Sequence, residues 1–228
     1  MVQRNSSLPE KVLFANPALY KLKCFFIETV IWKWLLSGVF RLKPRPMTDT
    51  EELFRGRRVL MAACGPGDVS TGPSVDSAAE VFAFDLSLTF VETCHRNRST
   101  WKVCVADVLK LPFPDGAFDV SVIYSSLHHI PSSAELVLAE LARVARGHVV
   151  LLEGVVPERG LLRHLLLLWY AIMDGGVHYY TREEISDIAG RLGLEVERIT
   201  EHGPIGHMIF CVLGVGRPVN LAISLARG

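Results

Sequence analysis

The sequence lacks most of the marks that identify a chemistry at a glance. It has no CxxC pair. Its five cysteines (Cys24, Cys64, Cys94, Cys104 and Cys211) are an odd number, so neither a disulfide framework nor a zinc site is expected, and no ligand cluster suggests another metal. A reducing, cytoplasmic setting is the simplest expectation. No Gly-Lys-Ser or Gly-Lys-Thr occurs, which excludes a P-loop. No uncharged apolar run reaches the ~18 residues of a spanning helix; Leu165–Met173 and Gly203–Gly216 come nearest. The first residues are polar and the apolar stretch from Cys24 to Phe40 is broken by Glu28 and Lys33, so no secretory signal is expected. Net charge is missing too. The 24 Lys and Arg balance 24 Asp and Glu, without the basic excess of a nucleic-acid binder. Charged residues make up 21% against 50% hydrophobic, the reverse of a disordered chain.

What is present is unevenly placed. Residues 1–58 hold 11 Lys and Arg against 5 Asp and Glu, a balance of +6, and the remaining 170 residues carry −6. Residues 1–47 read as an N-terminal helical cap that ends in Lys43-Pro44-Arg45-Pro46, where two prolines stop any helix and mark a linker. The stretch Leu19–Leu42 is apolar nearly all round and, with Lys21, Lys23, Lys33, Arg41, Lys43 and Arg45, makes residues 19–45 the candidate membrane contact. A helix of that kind is buried, or lies on an anionic membrane surface. Residues 48–228 read as one α/β domain with a lid-like insertion at about 156–180, which contains the run Leu161–Met173.

Within that domain, short apolar runs alternate with helical patterns. Strands are expected at Val59–Ala63, Val81–Phe84, Trp101–Val105, Phe118–Tyr124, His148–Glu153, Leu194–Thr200 and His207–Leu213. Ser87 caps a helix to Asn97. Ser132-x-x-Glu135 is a capping box for a helix through Arg146, with Gly147 as its stop. Thr181-x-x-Glu184 is another, for a helix to about Leu192. The alternation argues for an α/β fold with a parallel sheet covered on both faces.

Chemistry-bearing residues gather at the carboxyl ends of these strands, where open α/β sheets bind ligands. Gly65-Pro66-Gly67 follows the first strand, Asp85 ends the second, Asp107 follows the third, and Ser125-Ser126-Leu127-His128-His129 follows the fourth. Glycines let a ligand approach the backbone. An acid 18 residues beyond Gly67 can accept hydrogen bonds from two ribose hydroxyls, and Asp107 one from an exocyclic amine. This is the pattern of an adenosine-bearing cofactor. A dinucleotide fingerprint would add a third glycine; here Gly67 is followed by Asp68-Val69-Ser70, and an acid at Asp68 repels pyrophosphate.

Val59-Leu60-Met61-Ala62-Ala63-Cys64-Gly65-Pro66-Gly67 resembles the first motif of class I S-adenosylmethionine-dependent methyltransferases. Asp107-Val108-Leu109-Lys110-Leu111-Pro112-Phe113-Pro114-Asp115-Gly116-Ala117-Phe118-Asp119 is similar to a run of their small-molecule branch, which includes the ubiquinone/menaquinone biosynthesis type. Tyr124–Ile130 and Glu140-Leu141-Ala142-Arg143-Val144 resemble its continuation. The resemblance covers residues 55–155 well and 178–213 loosely. It implies a Rossmann-like, seven-stranded, mostly parallel sheet with an antiparallel last strand, S-adenosylmethionine as cofactor, S-adenosylhomocysteine as product, and a small, lipophilic methyl acceptor. It implies cofactor contacts at Ala63, Cys64, Gly65, Gly67, Asp85, Leu86, Asp107, Val108 and Ser125. His128 or His129 is the candidate base, because an acceptor O–H, N–H or C–H must lose a proton. Tyr20, His178, Tyr179 and Tyr180 are candidates to line the acceptor site. Cys64 reads as a packed thiol behind the loop, and Asp115 and Asp119 as structural. The pattern departs from the family at Met61, where an acid usually stands. Two rival readings are a methyltransferase-like scaffold without activity and, less well supported, a nicotinamide-dependent reductase.

Overall fold

Strand β1 (Arg58–Ala62) is buried along all but its first residue, because its alternate side chains enter two different cores. Leu60 and Ala62 join one cluster, and Val59 and Met61 the other. The structure, a computed structural model, describes residues 50–67, 73–130, 134–173, 176, 178–202 and 208–216. The expected cap at 1–47, with Tyr20 and the basic apolar stretch 19–45, lies outside them, as do Asp68 and Ser132.

Beside β1 lie β2 (Glu80–Asp85), β3 (Lys102–Val105), β4 (Phe118–Tyr124), β5 (Ala145–Gly154), β6 (Glu195–His202) and β7 (Met208–Gly214). They form one seven-stranded sheet in the order β3-β2-β1-β4-β5-β7-β6. Every pair is parallel except those of β7, which runs antiparallel to both β5 and β6. The expected architecture is therefore observed, and the inserted antiparallel strand sets it apart from the 3-2-1-4-5-6 order of dinucleotide folds.

The helices are α1 (Glu51–Phe54), α2 (Leu88–Asn97), α3 (Ala134–Val144), α4 (Leu161–Met173) and α5 (Arg182–Arg191). One sheet face packs on Val137, Leu138 and Leu141 of α3 and Ile185 and Ile188 of α5. The other packs on Phe54 of α1, Cys94 of α2 and Trp101. Met61, at the position where the family usually has an acid, lies in that second cluster beside Val59, Val120 and Val122. An acid there would be surrounded by aliphatic groups.

Ser87 caps α2, accepting from Phe90 N at 3.4 Å. Thr181 and Glu184 form both bonds of the expected capping box. Several boundaries move by one to three residues, and two of the differences have a clear local cause. Strand β1 stops at Ala62, because Ala63 adopts φ +48° and turns the chain out of the sheet. Helix α3 ends at Val144, not Arg146, and Gly147 stops nothing: it lies inside β5. Between Phe118↔Ala145 and Val120↔His148 the register slips, giving β5 one extra residue and a bulge. A Cβ on Gly147 would meet the Asp119 carbonyl oxygen at 2.8 Å. The glycine admits a close backbone approach, a need invisible in the one-dimensional pattern.

Candidate functional site

The non-glycine residues with positive φ among the described residues are Ala63 (+48°) and Ser125 (+44°). They follow β1 and β4, the adjacent strands at which the sheet's winding reverses. Left-handed backbone at such positions is worth roughly 1–2 kcal/mol of strain each, and open α/β sheets bind ligands at this crevice. Gly65 (φ +53°) and Gly67 (φ +79°) continue the turn. Their duties differ. A Cβ on Gly65 would have nothing within 4 Å, so the space above it is open. A Cβ on Gly67 would lie 2.9 Å from Arg98 Cγ and 3.0 Å from Cys94 Sγ, so Gly67 lets the loop rest on α2. Asn97 Nδ2 and Arg98 Nε hold that loop by donating to the carbonyls of Pro66 (2.7 Å) and Gly67 (2.8 Å). Gly67→Ala is expected to lose about 2–4 kcal/mol of stability, from left-handed strain plus overpacking, measured by denaturant unfolding. Gly65→Ala should lose only the strain.

Asp85, at the end of β2, binds this loop directly. Its Oδ2 accepts from Gly65 N at 3.0 Å and its Oδ1 from Ser87 N at 2.9 Å. The acid singled out for a ligand thus also fixes the glycine turn, a duty that spacing does not reveal. Leu86 and Leu88 are 56% and 60% exposed, and Val105, paired with Asp85 across the sheet, is 49% exposed. The mouth beside Asp85 is therefore apolar. Asp107 is exposed, and its Oδ1 accepts from Leu109 N at 3.0 Å. Val108 buries its side chain in the α3 cluster, so only its backbone is left for a ligand. Cys64 is similar. Its thiol lies behind the loop, and the Cys94 thiol bonded to it, together with burial, pushes its pKa far up, so it is inert as a nucleophile.

The loop after Asp107 is clamped by α3. Glu140 accepts from Leu111 N (2.9 Å) and from Arg143 Nε (2.8 Å) and Nη2 (2.9 Å). Arg143 then donates to the carbonyls of Phe113 and Leu111 and to Asp115. This is the physical content of the Glu-x-x-Arg spacing: one helical turn places both side chains over the Leu111–Gly116 loop. Asp119 accepts from Arg58 N at 2.8 Å and pairs with Arg146, tying the start of β4 to β1.

Beyond β4 a short 3-10 turn (Leu127–His129) carries the two histidines. His128 is 2% exposed and its Nδ1 is bonded to Glu153, which is 0% exposed near the end of β5. Glu153 was not singled out from the sequence, where it reads as the last residue of an apolar strand. An acid ending a fully buried strand, next to a Leu-His-His turn, was the available signal, since such an acid must find donors. Tyr179 stacks on His128 (4.9 Å between ring centres, 18°) and on Tyr170 of α4 (4.2 Å, 8°). Tyr179 is thus buried against His128, and Tyr180 is buried edge-on to His178, where burial and the nearby Glu153 and Glu184 raise its pKa. His178 is more open, 3.8 Å from Glu184. Among the described residues no group of three or more His, Cys, Asp or Glu is placed to hold a metal, and no helix is long and apolar enough to cross a membrane.

Residues 60–152 match the methyltransferase domain family model. The chain is 34% identical over 125 residues to a demethylmenaquinone methyltransferase of Beutenbergia cavernae, covering 54% of this chain and 51% of that one. It is 32% identical over 139 residues to a ubiquinone/menaquinone biosynthesis C-methyltransferase of Azotobacter vinelandii, covering 56% and 54%. The chain spans about half the length of the curated relatives it matches. In fold it is similar to a Haloferax volcanii methyltransferase solved with the Trm112 activator (TM-score 0.65, 13% identity, 90% of this chain and 98% of that one). It is also similar to the magnesium protoporphyrin IX methyltransferase of Synechocystis with bound S-adenosylhomocysteine (TM-score 0.57, 16% identity, 86% and 98%).

Proposed function

From the premise that this chain carries a class I S-adenosylmethionine-dependent methyltransferase domain, we propose that it transfers the methyl of S-adenosylmethionine to a small, lipophilic acceptor. The observation that carries this reading is the Asp85 carboxylate bonded to Gly65 N beneath open space, at the reversal of the sheet. The residues present fit the cofactor. A side chain at Gly65 would intrude on the space the ligand needs, and a carboxylate has about four acceptor sites, so ribose hydroxyls can join the two backbone donors on Asp85. Leu86, Leu88 and Val105 offer apolar surface to the adenine, and Asp107 stands exposed beyond β3 to accept from its amine. The backbone of the Ala63–Gly67 turn meets the methionine end.

The cofactor supplies a methyl already activated on a sulfonium, so the protein's task is to hold the acceptor in line, exclude water and take its proton. The proposed acceptor side is beyond β4 and β5, supported by the stacking of His129 and Tyr179 on His128 and of Tyr170 of α4 on Tyr179. Relatives named for demethylmenaquinone and for ubiquinone/menaquinone biosynthesis support a lipophilic aromatic acceptor, although another is named for malonyl-acyl-carrier protein. The exposed Leu161, Leu165 and Leu168 of α4 suit a greasy approach.

Calorimetric titration with S-adenosylhomocysteine and with NAD tests the reading. Binding of the first and not the second is expected; no binding of the first overturns it. Methyl transfer from labelled S-adenosylmethionine to lipid extracts then separates an enzyme from an inactive scaffold.

A further inference from the structure

We propose that α4 is a membrane-docking helix whose outward leucines, Leu161, Leu165 and Leu168, seat the protein on an anionic phospholipid surface. The inference goes beyond methyl transfer and does not rest on it.

Helix α4 is apolar on two sides. Leu166 and Tyr170 face inward, where they form a small core with Val156 and Tyr179. On the opposite side Leu161, Leu165 and Leu168 are 74%, 54% and 60% exposed, and Leu162 beside them is exposed as well. Positions i, i+4 and i+7 make one stripe along a helix, and at 1.5 Å per residue it is about 10 Å long. A surface helix normally turns charge outward, as α5 does with Arg182, Glu183, Asp187 and Arg191. A contiguous aliphatic ridge facing water instead marks a contact surface.

Charge around the ridge selects the partner. From Arg159 to Met173 the sequence holds Arg159, Arg163 and His164 and no acid, with Glu158 and Asp174 just outside. Arg159 and His164 are exposed, and Arg163 donates from Nη1 to the Pro157 carbonyl at 2.9 Å. Cations gathered at one end of an aliphatic stripe suit phosphate headgroups lying above an acyl layer.

Shape agrees with charge. The outer side of a lone helix is convex, whereas sites for small molecules are concave, so the ridge fits a flat apolar layer better than a bound acceptor. With 13 residues α4 is too short to span a bilayer, and lies along one. Inward, it is tied to the end of the sheet that carries the glycine turn. Tyr170 stacks on Tyr179, which stacks on His128 beyond β4. The absence of a side chain on Gly154, at the end of β5, leaves room for the Tyr170 hydroxyl, which lies 3.1 Å from where a Cβ would stand. Docking by this ridge would set the proposed acceptor side beside the lipid in which a lipophilic acceptor dissolves.

The experiment is co-sedimentation of the full chain with vesicles of phosphatidylcholine alone and of phosphatidylcholine mixed with phosphatidylglycerol. Binding to the mixed vesicles is expected, weaker on the neutral ones and weakened by salt. The triple variant Leu161→Gln, Leu165→Gln, Leu168→Gln keeps helix propensity and should lose roughly tenfold or more in binding. Arg159→Gln should lose roughly fivefold, on the mixed vesicles only. If the triple variant does not fold, Leu161→Gln and Leu168→Gln decide singly, each with a loss of about threefold. Absence of wild-type binding overturns the proposal. Unchanged binding of the leucine variants also overturns it and moves the membrane contact to residues 19–45. A lipid-free dimer that the triple variant makes monomeric, with no vesicle binding, assigns the ridge to a second copy of the chain instead. Binding is measured without cofactor, so failure of the methyl-transfer reading leaves the result intact.

Discussion

Replacing Asp85 by alanine is expected to weaken S-adenosylhomocysteine binding by roughly 100-fold or more, while the chain stays folded. A hydrogen bond to a charged acceptor is worth about 1.5–3 kcal/mol, and two ribose hydroxyls on one carboxylate make about 3–6 kcal/mol, where 1.4 kcal/mol is tenfold. The second duty of Asp85 adds to this. Without it Gly65 N and Ser87 N lose their acceptors, and the glycine turn loses its link to β2. That link is partly exposed, so water takes over some of the lost bonds and the stability loss should stay near 1–2 kcal/mol. Asp85→Asn separates the duties. Its carbonyl oxygen still accepts one backbone N–H, so the fold should tighten relative to alanine while ribose binding stays weak. Calorimetry on both variants is the check, and an unchanged Kd would place the ribose elsewhere.

Arg143→Ala is expected to cost about 2–4 kcal/mol, a little below the roughly 3–5 kcal/mol for a fully buried ion pair because both side chains keep some exposure, or roughly 5–15 °C in Tm for a domain of this size. The loss has named parts. Glu140 would keep Leu111 N as partner but lose both guanidinium bonds, and the Leu111 and Phe113 carbonyls would lose their donor. The same pair gives an acid dependence. The Arg143 guanidinium beside Glu140 holds its carboxyl below the ordinary value of 4.5. A depressed carboxyl contributes stability that is complete above that ordinary value and is lost as the pH falls below it, through the folded value. Glu140→Gln should therefore flatten the acid limb of the stability curve below about pH 4.5. Urea midpoints from pH 3 to 7 measure it, and parallel curves would place the acid sensitivity in another carboxylate.

Much of the site could be read from the sequence because its signals are local. Gly65 and Gly67 lie in one turn, Asp85 ends a strand, and Thr181 with Glu184 closes a capping box within four residues. Each is decided by backbone sterics or by bonds between near neighbours, which spacing records. Strand β4 was bounded correctly because its apolar run meets a turn at both ends. Gly147 misled for the complementary reason. A glycine after a helix usually caps it, but here the Asp119 carbonyl, from another strand, needs the space.

The sequence by itself determined the seven strands, the helices α2, α3 and α5 between them, the glycine turn and the acids at the strand ends. Tertiary structure alone decided that Asp85 holds Gly65, that Val108 and Cys64 turn their side chains inward, and that Glu153 meets His128 across 25 residues. The division has one physical cause. Dihedral preferences and hydrophobic period act along the chain, whereas the partner of a buried charge is chosen by whichever strands the sheet sets side by side.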